Sequence, residues 1–276
     1  MTFALTPQRR SELAALLEDT ELLRSRFPRV AEYLETAPMF TGTGDPERDA
    51  AFDLRFVHYL TGGESESGNP YWDIVGPSVS HREALRVVDG GVQAGSVRLG
   101  FAQTILQSVY AYAIPSPETL RWITDFAGRR TIVELGAGRG YWAHQLARAG
   151  ATVRAFDIEP PHRSSNASFP VAAGQAEVWH EVAEADAFDA AVGADSVLLL
   201  CWPPGWDDPM ASSALETFGS AGGEDLIYIG EPRGGRTGDE AFFDLLEAGW
   251  SLKAADPGFV SWWNLNDTAL IWRRMS

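Results

Sequence analysis

Cysteine is all but absent. Cys201 stands alone in 276 residues, so no disulfide can form within the chain and a thiolate metal cluster is excluded. Such usage suits a reducing compartment. Basic residues are also few, 22 against 38 acidic ones for a formal charge of −16, and a surface that negative repels polyphosphate unless its cations gather on one face. Nucleic acid is therefore not an expected partner. No apolar run is long enough to span a bilayer, and the opening MTFALTPQRRSELAALLEDTELLRSRF is charged throughout, without the apolar core of a secretory signal. The expectation is a cytoplasmic protein with no membrane contact. The five histidines form neither an HxH nor an HExxH pattern, so no metal site is expected. Repeats and low-complexity tracts are lacking too.

What is present changes texture near residue 115. Before it the chain reads as helical, with strand signals nearly missing. Leu13, Leu16, Leu17 and Leu22 recur at helical spacing between Pro7 and about Arg26, and Phe52, Leu54, Phe56, Val57 and Leu60 do so between Glu47 and Leu60. A Gly/Ser/Glu loop from Thr61 to Asn69 follows, then a helical stretch from about Val92 to Tyr112, stopped by Pro115. Past Pro115 strands and helices alternate. Ser116 and Pro117 open a helix, and strands are expected at Thr131–Leu135, Thr152–Phe156, around Val178–Val182, and at Ser196–Cys201, Leu226–Gly230, Ser251–Ala255 and Thr268–Trp272. Helices fall at Tyr141–Ala149, Met210–Phe218 and Asp239–Ala248. That alternation is the pattern of an α/β, doubly wound, mostly parallel sheet of seven strands. No helical pattern separates the last two strands, which makes them an antiparallel closing pair.

The chemistry concentrates in Thr131-Ile-Val-Glu-Leu-Gly-Ala-Gly-Arg-Gly-Tyr-Trp142 and in Ala155-Phe-Asp-Ile158. Glycines at 136, 138 and 140 permit a tight turn at a strand end and let a ligand lie against the backbone. A dinucleotide fold wants G-x-G-x-x-G, but Tyr141 stands where the third glycine belongs. Glu134, two residues before the first glycine, repels a pyrophosphate and suits an amino-bearing or cationic ligand. Asp157, at the end of the next strand, can accept two hydroxyl donors.

The run E-L-G-A-G-R-G, with an acidic residue ending the following strand, resembles the cofactor signature of class I S-adenosylmethionine-dependent methyltransferases, over roughly residues 112–274. The resemblance implies a Rossmann-like domain at 116–276, preceded by a helical cap at 1–115 that shapes the acceptor pocket. It further implies that Gly136, Gly138 and Gly140 line the methionine moiety, that Glu134 supports its amino group, and that Asp157 takes the ribose hydroxyls. Asp186, or Ala187 beside it, is the implied adenine contact, and Ala137, Trp142, Ile158 and Cys201 complete the expected cofactor set. S-adenosylhomocysteine is the implied product. The segments Tyr112-Ala-Ile-Pro115, ELGAGRGYWA, LCWPP and IGEPRGGRTGD together resemble a bacterial and fungal group of methyltransferase-like proteins with no assigned substrate.

For the acceptor side, Cys201-Trp-Pro-Pro-Gly-Trp206 is a partial likeness to the (Asp/Asn/Ser)-Pro-Pro-aromatic motif of amino-group methyltransferases, with Trp202 in the polar position and Gly205 in the aromatic one. A rigid two-proline turn presenting an indole can stabilise a sulfonium or ammonium. Glu231 ends the fifth strand and is expected to face the pocket as a base or amine anchor, and Tyr112 to cross the cofactor. Trp262 and Trp263 are candidates for a pocket wall. Glu64, Glu66 and Asp73, with Glu231, favour a cationic acceptor. The expectation is methyl transfer to a small molecule or peptide, at an amine nitrogen, in natural-product or modified-peptide biosynthesis. A non-catalytic or regulatory S-adenosylmethionine-binding protein and a nicotinamide-dependent oxidoreductase are the alternatives. A filled acceptor pocket would favour the first; Glu134 and the missing glycine oppose the second.

Overall fold

The computed structural model describes residues 3–82, 85–163 and 166–275. Helices α1 (Pro7–Glu18), α2 (Thr20–Arg26), α3 (Pro28–Thr36), α4 (Pro46–Leu60) and α5 (Pro70–Val75) come first. Strands β1 (Val79–Arg82) and β2 (Leu85–Val88) follow, then α6 (Val97–Val109). Local chemistry marks most of these starts. Thr6, Asp45 and Asn69 accept amide hydrogen bonds at the entries to α1, α4 and α5, each of which has proline in its first turn.

Three expectations are corrected here. The stretch from Pro7 to Arg26 is two helices, because Asp19 leaves helical geometry and its carboxylate accepts from Leu22 N at 2.9 Å. Leu13 and Leu23 therefore carry the buried face, while Leu17 and Leu22 are exposed. The helix expected from Val92 starts at Val97, where Ser96 Oγ accepts from Leu99 N at 3.1 Å. The region before residue 115 also holds two strands, and β2 pairs in parallel with a segment from the far end of the chain, Arg86 opposite Val260. Such a short strand depends on a partner distant in sequence, and local pattern carries little trace of it.

The rest of the chain runs α7 (Pro117–Ala127), β3 (Thr131–Leu135), α8 (Tyr141–Arg148), β4 (Val153–Asp157), β5 (Val182–Glu184), β6 (Ser196–Cys201) and α9 (Met210–Ser220). It closes with β7 (Asp225–Gly230), α10 (Glu240–Gly249), β8 (Trp250–Ala255), β9 (Val260–Trp262) and β10 (Thr268–Arg274). The third sheet strand lies at 182–184, a little past its expected place. Seven strands form one sheet in the order β5-β4-β3-β6-β7-β10-β8, parallel from β5 to β7, with β10 antiparallel to both neighbours. This is the expected Rossmann-like, doubly wound fold with an antiparallel close.

Alternation along the strands feeds two cores. Val197, Leu199, Ile227 and Ile229 pack on one face with α4, α6 and the other N-terminal helices, whereas Leu198, Leu200, Leu226 and Tyr228 pack on the other with α9 and α10. Burial on both faces explains the unbroken Val-Leu-Leu-Leu run of β6. The first core and the β2–β9 pairing both cross the 115/116 boundary. Strand order reverses between β3 and β6, and an open α/β sheet leaves its binding crevice at such a point, beyond the carboxyl ends of the strands. Among the described residues no helix is long and apolar enough to cross a membrane.

Candidate functional site

A cavity of about 910 Å³ opens at that reversal, walled by the ends of β3, β4 and β6 and by the loops that follow them. Glu134, Gly136, Ala137, Asp157, Ile158, Trp142, Tyr112, Cys201 and Trp202 all line it, so most of the sequence-derived site is brought together. Gly138 and Gly140 stand apart from the lining residues. A Cβ on Gly138 would sit 2.5 Å from the Phe169 ring, with φ at +55°, and one on Gly140 would sit 2.9 Å from the His180 main chain, with φ at +78°. Their lack of a side chain thus serves contacts within the protein. The Gly138 amide donates to Asp157 Oδ2 at 2.7 Å and couples the glycine turn to the end of β4.

Glu134 is 2 % exposed, and its Oε2 has no hydrogen-bond partner. Burial, then the nearby Asp157 charge, push its carboxyl up to about 8, against a main-chain hydrogen bond from Ala143. A buried polar atom left unmade is costly, and this one belongs to a residue on the cavity wall. Asp157 is also held above its ordinary range by burial, although Glu159 N donates to its Oδ1 at 2.8 Å. Beside it Ile158 is exposed into the cavity, and Ala185 and Phe188 continue this apolar strip. Burial pushes the Cys201 thiol well up, so it is neutral. Glu159, Asp189 and Asp208 add to a strongly acidic lining in which Arg236 is the one Lys or Arg among the described residues.

On the β6–β7 side Trp202 is the central feature. Its φ is +54°, a strained value for a bulky residue, and its main-chain amide donates to Ile229 O at 2.7 Å. The indole Nε1 donates to Asp267 Oδ2 at 2.9 Å, and the ring stacks on Tyr112 with centroids 5.3 Å apart. Asp267 is buried, which pushes it up to about 6 against donors from Ser261 and Trp202. Trp142 Nε1 donates to Ala113 O at 3.2 Å, tying the Tyr112 segment to the start of α8. Trp206, also at positive φ, is 79 % exposed and lines the same space.

Several sequence expectations are corrected. Glu231 is 4 % exposed and turned into the protein: it accepts from Arg236 N at 2.8 Å, Nε at 3.1 Å and Nη2 at 2.9 Å, and from Asn266 N at 3.2 Å. Four donors hold it ionised, below the usual carboxylate range, so it is no base. Asp186 is exposed and faces a separate surface hollow with Pro161 and Glu184; Ala185 meets the main cavity in its place. Trp262 is a core residue donating to Tyr71 Oη at 3.1 Å, and Trp263 covers Gly95. Glu64, Glu66 and Asp73 line a different hollow near α1 and α4. Phe169, Asn166, Asp267 and Arg236 are site residues that sequence reasoning missed. Only Arg236 lay in a segment already singled out.

No family model matches the chain, and no curated protein matches it. Solved structures with a similar fold include magnesium protoporphyrin IX methyltransferase from Synechocystis PCC 6803 with bound SAM, at 15 % identity and a TM-score of 0.39, covering 85 % of this chain and all of that one. A putative O-methyltransferase from Klebsiella pneumoniae matches at 13 % identity and a TM-score of 0.40, covering 63 % of this chain and 87 % of that one. An O-methyltransferase from Bacillus cereus in complex with SAH matches at 16 % identity and a TM-score of 0.39, over 62 % and 87 %. All these scores are low, and the fold assignment stands on the strand order.

Proposed function

We propose that this chain is an S-adenosylmethionine-dependent methyltransferase whose cofactor lies across the ends of β3 and β4. The observation that carries this is the unpartnered, buried Oε2 of Glu134 on the cavity wall, with Asp157 one strand away. An α-ammonium supplies the missing donor, and vicinal ribose hydroxyls suit the Asp157 carboxylate. Ile158, Ala185 and Phe188 offer the apolar strip an adenine needs. A dinucleotide pyrophosphate at the ends of β3 and β4 would meet the carboxyl groups of Glu134 and Asp157, which opposes the oxidoreductase reading.

When bound, the cofactor supplies an electrophilic methyl carbon on a sulfonium that leaves as a neutral thioether. The protein's part is placement and exclusion of water. Tyr112, tied down through Trp142, lines the site, and Trp202 carries its ring at the β6 end, where an aromatic face can stabilise a cation. Glu231 is committed to Arg236 and Cys201 is a neutral thiol, so a neutral amine nitrogen, which needs no base before attack, is the acceptor we favour. Its surplus proton passes to water after transfer. A small molecule or peptide fits an open cavity of this size, in a biosynthetic tailoring role.

Calorimetric titration with S-adenosylmethionine and S-adenosylhomocysteine tests the proposal. Micromolar binding lost in Asp157→Ala is expected. An intact protein that binds neither compound sinks it.

A further inference from the structure

The loop after β7 carries a charged device that the cofactor does not require. Arg236 is the one Lys or Arg lining the cavity among the described residues, and it is half-exposed there. Its Nε and Nη2 both donate to buried Glu231, and Nη1 takes no protein partner among the described residues. The guanidinium carbon lies 5.6 Å from the centroid of the Trp202 ring, which Tyr112 also stacks upon. Thr237, the next residue, bridges Pro204 of the two-proline turn, so the loop is fastened to the β6 side of the cavity. Two carboxylates lie near, Glu231 and Asp267, and both are already taken by protein donors. A guanidinium gripped along one edge keeps its other edge for a second planar anion.

From this we infer that Arg236 anchors a carboxylate of the acceptor, so that the substrate is an amine that also carries an acid, held with its apolar part against Trp202 and Tyr112. Glu231 is then a positioning residue: it presents Arg236. The inference deepens the methyltransferase reading and rests on it. It also amends the expectation of a cationic acceptor, because Glu231, the carboxylate expected to attract one, is paired with Arg236. Topology sets this anchor away from Glu134, on the other side of β6. Arg236 follows β7, two strands from the Glu134 strand in the order β3-β6-β7.

The test uses the full chain saturated with S-adenosylhomocysteine and titrated with benzoate, benzamide and benzylamine, read by tryptophan fluorescence. Benzoate is expected to bind about tenfold or more tightly than the other two, the range of a charge-assisted hydrogen bond. Arg236→Gln should erase that preference and leave S-adenosylhomocysteine affinity unchanged, which also reports that the variant is folded. Arg236→Lys, keeping charge without the fork, should keep only part of it. Equal binding of the three probes, preference for benzylamine, or no binding of any probe overturns the inference while the cofactor reading stands. Loss of S-adenosylhomocysteine affinity in Arg236→Gln, with Arg236→Lys restoring it, overturns it by assigning the guanidinium to the cofactor's carboxylate. Failure of the unaltered chain to bind S-adenosylhomocysteine defeats the methyltransferase reading itself, and this inference with it.

Discussion

Replacing Glu134 by glutamine separates what this carboxyl does for stability from what it does for binding. The folded protein holds the group at about 8 against an ordinary value of 4.5, so between those pH values the folded chain keeps a proton that the unfolded chain has lost. Stability therefore falls as pH rises through that window, by about 1.4 kcal/mol per pH unit. Glu134→Gln removes this slope. At pH 8 the variant should be the more stable protein by up to about 5 kcal/mol, a ceiling because the amide brings its own unmet donors. Asp157, raised in the same direction by burial, contributes a slope of the same sign that the variant retains. Binding should respond in the opposite sense. At pH 7 roughly nine-tenths of the parent protein carries the Glu134 proton, and an incoming ammonium favours the ionised form, so close to one proton is released per S-adenosylhomocysteine bound. The variant should bind about 10- to 100-fold more weakly and release none from this position. Urea denaturation across pH, with calorimetry in buffers of different ionisation enthalpy, measures both effects. An unchanged pH slope in the variant, together with a binding heat independent of buffer in the parent, would refute the reasoning.

Two further expectations follow from buried charges. Asp225 is 1 % exposed and pairs with Arg130 and with Arg273, whose Nε and Nη2 both lie at 2.7 Å, so Asp225→Asn should cost about 2 to 3 kcal/mol at neutral pH, below the full value of a buried pair because both arginines remain partly solvated. Its carboxyl is held below the ordinary range, so this contribution is present above that range and lost as pH falls through the lowered value; chemical denaturation should show parent and variant converging in acid. Trp202→Phe keeps a ring at the strained φ but removes the Nε1 donor to Asp267, and the loss, about 1.5 to 3 kcal/mol, should be seen at pH 8 and shrink at pH 5, where Asp267 is protonated. Equal losses at the two pH values would show that the hydrogen bond carries no charge.

How much of the site was legible depended on distance along the chain. Glu134 and Asp157 were readable because each ends a strand whose partner strands are parallel and buried, and the Gly136–Gly140 turn fixes which end of the sheet they occupy. Trp202, just past the end of β6, lines the cavity for the same reason, whereas Tyr112 reaches it from the segment between α6 and α7. Glu231 was placed on the correct rim but with the wrong orientation. Its position at the end of β7 was visible, yet its direction depends on the turn that brings Arg236 back over it and on Asn266, 35 residues away. Asp186 failed by one residue of a short 3-10 turn, which leaves Ala185 on the inner side.

The sequence by itself therefore determined the alternating sheet, the glycine turn after its first strand, and the two carboxylates at the ends of successive strands. Those features follow from periodicity, glycine geometry and chain order, which are local. Tertiary structure alone decided that β2 pairs with β9, that Phe169 closes over Gly138, that Asp267 holds Trp202, and that Glu231 serves an arginine rather than a ligand. Each of these is a contact between residues that no local pattern relates. A buried polar group takes whichever donor the finished packing brings within reach, and packing is settled only when the whole chain is in place.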